Sequence, residues 1–400
     1  MLKLSFLLVL FSFKSYSQTL KLDKALSLYS NTEQYKFAIN EINIFTSKED
    51  QLFSGILPSL ELNSSFTRQP ETSLSFIGNE QRQTFLTLRQ PLFQGMKQFA
   101  ALNYAQKLSK SKLFSKESVK REIKLKIGNL FLRVHQLGEE IKLYNELITI
   151  KKSNYNLVRK RQKIGKSKMS ELLTSKASLA ISKAEIIQLK DQQKNAIIDL
   201  KRILQIPFDD LVLGPINSKA AVINIDNHPS IKAAKLLYDA SDDLIKSSKS
   251  GHYPTVDFSA NYYLEQEGVF NERDWDVAVN LNLPIYSGGK TTASVLEQKL
   301  NKKNNFLNYQ RIKKDLRTLF TKIESNYNYS LLQIKAYKLS TEASYKSYIE
   351  NLSDYKLKLT NDLNLNNSLE SYIKEKQRLI RLKSSSQLLK LQLLILNGDI

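Results

Sequence analysis

A chain of 400 residues without a single cysteine forms neither disulfides nor thiolate metal centres. Its formal charge of +21 would ordinarily raise nucleic acid as a partner. Here the lysines are spread along long amphipathic stretches of a chain that begins like an exported protein, so a solvated helix surface and no nucleic-acid partner is the expectation. Beyond the N-terminus no apolar run approaches the roughly 20 residues of a membrane-spanning helix, which excludes a helical membrane bundle.

The order begins with Met1-Leu2-Lys3, an apolar run from Leu4 to Phe13 and the small-residue site Ser15-Tyr16-Ser17. This reads as a signal peptide over residues 1–17, cut before Gln18. A first repeat is expected over 18–206. After Asn31 a helical pattern reaches Phe53, Gly55 ends it, and Pro58 opens a strand over about 58–68. A polar loop with Pro70, Gly78 and Asn79 leads to a second strand over about 82–91, which ends in Pro91-Leu92-Phe93-Gln94-Gly95.

No proline then occurs until Pro207, which permits very long helices. Val119, Ile123, Ile127, Leu130, Val134, Leu137, Ile141, Tyr144 and Ile148 step by fours and threes, the spacing of a coiled-coil seam. Gly165, inside the basic segment Arg159-Lys160-Arg161-Gln162-Lys163-Ile164-Gly165-Lys166, is the expected turn between an outgoing and a returning arm. At 1.5 Å per residue each arm would approach about 100 Å. Pro207, Gly214 and Pro215 mark a linker over 207–226.

The second half, 227–400, repeats this order. Asn31 and Pro58 recur as Asn227 and Pro254, 196 positions on, and Pro91 and Gly95 recur as Pro284 and Gly288, 193 positions on. The offset of 193 also carries Ile123 to Leu316, Ile127 to Phe320 and Tyr144 to Tyr337. A tandem duplication follows, with the second hairpin turning near Lys358. Its strands, about 254–266 and 273–284, alternate strictly. Val256, Phe258, Ala260, Tyr262 and Leu264 oppose Asp257, Ser259 and Asn261; Trp275, Val277, Val279, Leu281 and Leu283 oppose Asp276, Asn280 and Asn282.

That period of two suits a barrel wall with lipid on one face and water on the other. Asp257, Ser259, Asn261, Asn280 and Asn282 are the lumen candidates, and Trp275, Tyr262, Tyr263 and Phe66 are candidate anchors at the lipid interface. Four strands cannot close a barrel, because their edges would expose unpaired backbone to lipid. The smallest bacterial barrels have about eight strands, so the chain must oligomerise; two copies give eight strands and three give twelve, and the residue pattern leaves both open.

Ser287-Gly288-Gly289-Lys290-Thr291-Thr292 invites a phosphate-loop reading, but the glycine required five positions before Gly289 is Pro284. His135, His228 and His252 show no metal-ligand spacing, and no nucleophile–base set stands out among the carboxylates. Neither enzyme activity nor a cofactor or metal is expected.

Taken together, the chain resembles the TolC-like outer-membrane efflux proteins, the outer-membrane factors of tripartite efflux or type I secretion systems. The resemblance rests on Leu22-Asp23-Lys24-Ala25-Leu26 with Asn31, on Asn227-His228-Pro229-Ser230-Ile231-Lys232-Ala233, and on the proline-bounded strand pairs. Leu200-Lys201-Arg202-Ile203-Leu204-Gln205-Ile206-Pro207, which closes the first repeat, adds to it. It implies an α+β membrane protein. Long α-helical hairpins would form an α-barrel tunnel across the periplasm, and four strands per chain would enter the twelve-stranded barrel of a homotrimer in outer-membrane lipid. It also implies a passive duct driven by an inner-membrane transporter of RND or ABC type through a periplasmic adaptor protein.

Arg161, Gly165, Glu171 and Leu172 match the family's first-tip pattern. Its gate tyrosine matches Tyr355 and its gate acid Glu171; its gate arginine falls on Thr360, and its constriction aspartates fall on Asn364 and Asn367. Carboxylate rings select cations, so a strong acidic ring requires Asp362 or Glu370 as a substitute. Adaptor contact is expected at Ile164, Gly165, Lys166 and Ser167, with Lys358, Leu359 and Thr360. The rival reading is an exported coiled-coil or adhesin-like filament without a pore.

Overall fold

The computed structural model describes residues 19–68, 80–208, 210–212, 225–267 and 274–399. The expected signal peptide, Pro70, Gly78 and Asn79, and Gly214 and Pro215 of the linker lie outside the described residues. The chain divides into two compact units, one of residues 36–119 and 224–318, the other of residues 1–35, 120–223 and 319–400.

The first unit holds a four-stranded antiparallel sheet. Its strands are β2 (Ser59–Arg68), β3 (Glu80–Gln94), β5 (Thr255–Glu267) and β6 (Trp275–Asn282), in the order β2-β3-β5-β6. The two hairpins therefore join through β3 and β5, and β2 and β6 are left as edges. Register separates the faces cleanly. Leu60, Leu88, Ala260 and Val277 lie abreast across the four strands, as do Leu62, Leu86, Tyr262 and Trp275. The intervening row is Glu61, Thr87, Asn261 and Asp276. Leu60, Leu62, Trp275, Val277, Val279 and Leu281 are all exposed, so the apolar face is uncovered within one chain.

Tyr263 departs from the expected lipid anchors. Its hydroxyl donates to Asp276 Oδ2 at 2.6 Å and its ring packs on Phe85. With a period of two, a residue adjacent to outward-facing Tyr262 must point to the polar face.

The strands leave through tight joints. Gly95 has φ 58° and Gly288 φ 59°; a Cβ on Gly95 would stand 2.8 Å from the Ser250 carbonyl oxygen. Besides the starts of the two longest helices, this unit holds two shorter ones, α2 (Glu33–Ser54, of which residues 36 onward belong here) and α5 (Pro229–Lys249). His228 caps α5: its Nδ1 accepts the Ser230 N–H at 3.2 Å, with Pro229 at the first helical position. Both helices are tied to the start of α3 (Lys97–Lys163), through Lys112 to Glu41 at 2.7 Å and Lys107 to Asp243 at 2.6 Å.

The second unit is helical. It contains α1 (Leu22–Ser27), α3 from residue 120, α4 (Met169–Leu204), the end of α6 (Lys290–Leu357) and α7 (Asp362–Asn397). Helices α3 and α6 have 67 and 68 residues, about 100 Å at 1.5 Å per residue. The returning arms fall short of that expectation. Helices α4 and α7 have 36 residues each, about 54 Å. They stop at Gln205 (φ 54°) and Gly398 (φ 89°), whose left-handed backbones terminate them.

One core joins the four helices: Leu137, Leu143 and Leu147 of α3 with Ile186 and Leu189 of α4, Tyr348 of α6, and Leu365, Leu369 and Ile373 of α7. Of the expected seam, Ile123, Ile127, Val134, Leu137 and Tyr144 are buried, while Leu130, Ile141 and Ile148 are only half-buried. Phe131, Leu132, Leu143 and Leu147 are buried in addition. A helix packed on several neighbours needs a wider stripe than a two-helix seam. Gly128 lets α7 approach closely, since a Cβ there would collide with Leu391. A short parallel pair not foreseen from sequence, β1 (Thr19–Lys21) with β4 (Asp210–Val212), ties the chain's start to the segment expected as a linker. Three-residue strands are too short to carry an alternation signal.

Candidate functional site

The two hairpin turns of the helical unit are built alike. In the first, Lys166 N–H donates to the Arg161 carbonyl at 2.8 Å and Gly165 N–H to the Gln162 carbonyl at 3.0 Å. In the second, Leu359 N–H donates to the Asp354 carbonyl at 2.8 Å and Lys358 N–H to the Tyr355 carbonyl at 3.3 Å. These paired bonds form a Schellman cap, which needs a left-handed residue at its corner. Gly165 supplies it with φ 72°, and Lys358 adopts φ 67° where the first tip has glycine. A side chain in that conformation costs about 1 kcal/mol.

The following helices are capped by different chemistry. At α4, Glu171 accepts the Lys168 N–H at 3.3 Å and the Ser167 hydroxyl, answering the positive end of the helix. At α7, Asn361 Oδ1 accepts the Asn364 N–H at 2.9 Å, and the Asn364 amide reaches Thr360 Oγ1 at 3.1 Å. Thr360 and Asn364 thus belong to one turn, Glu171 is engaged with its own helix start, and Asn367 is exposed.

Arg161 joins the two tips. Its Nη2 donates to the Tyr355 carbonyl at 3.1 Å, and its guanidinium lies 4.4 Å from the centre of the Tyr355 ring. Tyr355 is buried, and its hydroxyl makes no hydrogen bond of regular geometry. Burial raises the phenol's pKa, with Arg161 opposing. Beside it Asp362 is buried; burial and the neighbouring Glu171 push its carboxyl up, against a hydrogen bond from Asn366 at 2.7 Å. Its other oxygen, Oδ1, is unpartnered. Glu370 lies against the buried Lys151 at 2.5 Å, so its charge is answered. Of the two substitute carboxylates considered from sequence, Asp362 is the one enclosed at the tip.

Further along the same helices, Glu140 is buried and fully clamped. Arg381 reaches it with Nε at 3.0 Å and Nη2 at 2.8 Å, Gln136 at 2.7 Å and Gln377 at 2.9 Å. Burial alone would raise its pKa; these donors outweigh that and hold it below the usual carboxylate value.

In the sheet unit a polar ladder crosses all four strands. Asn63 donates to Thr87 at 3.2 Å, Thr87 to Asn261 at 2.8 Å, and Asn261 to Asp276 at 2.9 Å. Asp257 and Asn280 are paired in register on this face, where Asp257 accepts from Gln94 at 3.3 Å. Ser259 also lies on this face, and Asn282, opposite Thr255, ends the same row.

Sequence reasoning passed over the role of Arg161 and the burial of Asp362. The first shows only when Arg161 and Tyr355, 194 residues apart, are brought together; the second had a trace in the Asn361-Asp362 helix start. Among the described residues no cluster of metal-ligating side chains occurs, and no helix is long and apolar enough to cross a membrane.

This fold is shared by solved structures of outer-membrane channels. The crystal structure of VceC from Vibrio cholerae superposes with a TM-score of 0.84, covering 94% of this chain and 96% of that one at 15% identity. The chain belongs to the outer membrane efflux protein family, whose model matches residues 46–204 and 223–352. It is therefore an outer-membrane transport protein and not an enzyme. Proteases secretion protein PrtF of Dickeya chrysanthemi is 23% identical over 333 residues, 73% of this chain and 69% of that protein. Alkaline protease secretion protein AprF of Pseudomonas aeruginosa is 18% identical over 280 residues, 65% of this chain; the chain spans 57% of that relative's length.

Proposed function

We propose that three copies of the chain form the passive exit duct of an efflux pump or type I secretion system. Strand β6 of one copy pairs with β2 of the next, closing twelve strands into a barrel with the row of Leu62, Leu86, Tyr262 and Trp275 toward lipid and the Asn63–Asp276 ladder toward water. The observation that carries this reading is the sheet itself, apolar on one uncovered face and unpaired at both edges. Such edges do not persist in lipid.

The repeated element order and the matched tip turns support a tandem duplication, with repeats over 18–206 and 227–400 and a segment over 207–226 between them. Helices α3 and α6 then continue as a periplasmic tunnel. The tips are its gate, held shut by Arg161 on Tyr355, with Glu171, Thr360, Asn364 and Asn367 around the entrance. An adaptor driven by an RND or ABC transporter contacts Ile164, Gly165, Lys166 and Ser167 with Lys358, Leu359 and Thr360, and opens the duct by separating the hairpins. The names of PrtF and AprF make a secreted protein the first cargo to try.

Reconstitution in planar lipid bilayers tests this reading. Purified protein should insert as a discrete low-conductance channel that opens further when the tip contact is broken. Protein that is stably folded yet never conducts would overturn it.

A further inference from the structure

We infer that the hairpin tips dock onto a protein surface made of an apolar centre rimmed by carboxylates; this rests on the reading of the tips as adaptor contacts and names the chemistry of the partner. Residues 159–168 carry six Lys and Arg side chains and no acid. Arg161 is engaged with Tyr355, and none of the six forms an ion pair with a carboxylate among the described residues.

Helix stability explains only part of this charge. Lys160, Arg161 and Lys163 lie in the last turn of α3, where cations favour the negative helix end. Lys168 is the N-cap of α4, at the positive end of a helix, where a cation is unfavourable and Glu171 is the only first-turn acid. Its charge works against the local fold, and Lys166, whose N–H closes the cap of α3, has no carboxylate partner among the described residues.

The same turns display large apolar side chains. Ile164 is 64% exposed, Leu357 67% and Leu359 73%; Met169 and Leu363 are also more than half exposed. Aliphatic residues in the middle of a charged surface are the composition of an interface centre with a polar rim. The charge is not uniform. The second tip has Lys356 and Lys358 with Asp354 beside them, while Asp362 is buried. The half-buried Asp354 among the leucines disfavours an anionic lipid surface and suits a protein with its own mixed rim, acidic where it meets residues 159–168. A cationic cluster of this density steers an acidic partner and loses that advantage as salt shortens the Debye length below about 8 Å.

The test uses the full-length protein in its own outer membrane, with a photo-crosslinking benzoylphenylalanine at Ile164 or Leu359. The crosslinked peptide is identified by mass spectrometry, in the parent and in a variant combining Lys160→Glu, Lys163→Glu, Lys166→Glu and Lys168→Glu. The expected product is a periplasmic protein captured through a segment of net negative charge. The charge-reversed variant should give about a tenfold lower yield while still assembling as the parent does. Capture through a neutral or basic segment, or a yield untouched by reversal, would overturn the acidic-partner inference and leave tip docking standing. Crosslinking to phospholipid would replace the protein partner by a membrane. No adduct at either position would overturn the docking reading itself.

Discussion

Replacing Arg161 by alanine removes two contacts at once, the hydrogen bond to the Tyr355 carbonyl at 3.1 Å and the guanidinium–ring contact at 4.4 Å. A charged donor to a carbonyl contributes about 1–2 kcal/mol at a half-exposed site, and a cation over an aromatic face about 1 kcal/mol. If the contact exists only while the tips are together, its loss shifts each hairpin toward the separated state by about 2–3 kcal/mol, or about 30- to 150-fold in population. Single-channel recording in planar bilayers would register this as a higher open probability and a larger mean conductance. Arg161→Lys keeps the charge without the planar fork and should fall between. Tyr355→Phe preserves the ring and the backbone carbonyl, and the hydroxyl it removes makes no regular hydrogen bond, so its effect should be small. An Arg161→Ala channel that gates like the parent, alongside a Tyr355→Phe channel that stays open, would refute the reasoning.

Three further outcomes are expected. Arg381→Ala strands the buried Glu140 carboxylate and should cost about 2–4 kcal/mol, toward the lower end because Arg381 reaches solvent; thermal unfolding at neutral pH checks it. Because Glu140 has a folded pKa below its unfolded value, near 4.3, its contribution is present above that pH and lost as pH falls through the folded pKa. Glu140→Gln should flatten that acid-side decline. At the tip corners, Gly165→Ala should destabilise by about 1–2 kcal/mol. Lys358→Gly should stabilise slightly, about 1 kcal/mol of relieved strain less about 0.5 kcal/mol for a freer unfolded chain; amide exchange over the two turns would report both. On the sheet, where the proposed barrel would set Val279 against lipid, Val279→Arg should cost up to about 2–4 kcal/mol and reduce outer-membrane insertion, whereas Asn280→Asp on the opposite face should leave insertion unchanged, as judged by fractionation.

The strands were legible from sequence because alternation is a local signal with a fixed period, and the observed register sets Val256, Phe258, Ala260 and Tyr262 on one face as that period requires. The joints were legible because glycine and proline punctuate the chain at Pro91–Gly95 and Pro284–Gly288. Packing was less so. The spacing from Ile123 to Ile148 indicated one seam, but Phe131, Leu132, Leu143 and Leu147 are buried by additional neighbours that spacing on a single helix does not disclose. Family patterns pointed to Tyr355 at the tip and could not indicate that Arg161, rather than Glu171 or Thr360, grips it. The Lys358 corner shows why a glycine rule fails in one direction: glycine permits a left-handed turn, but a sequence without it adopts the same turn when both flanking helices are fixed by their cores.

The closing of the barrel by three chains is tested most directly by the native mass of the detergent-extracted protein, measured by light scattering with bound detergent subtracted. A mass of three chains, recovered from the outer-membrane fraction, is the expected result. A single chain in the soluble fraction, or a stable species of two chains, would contradict it.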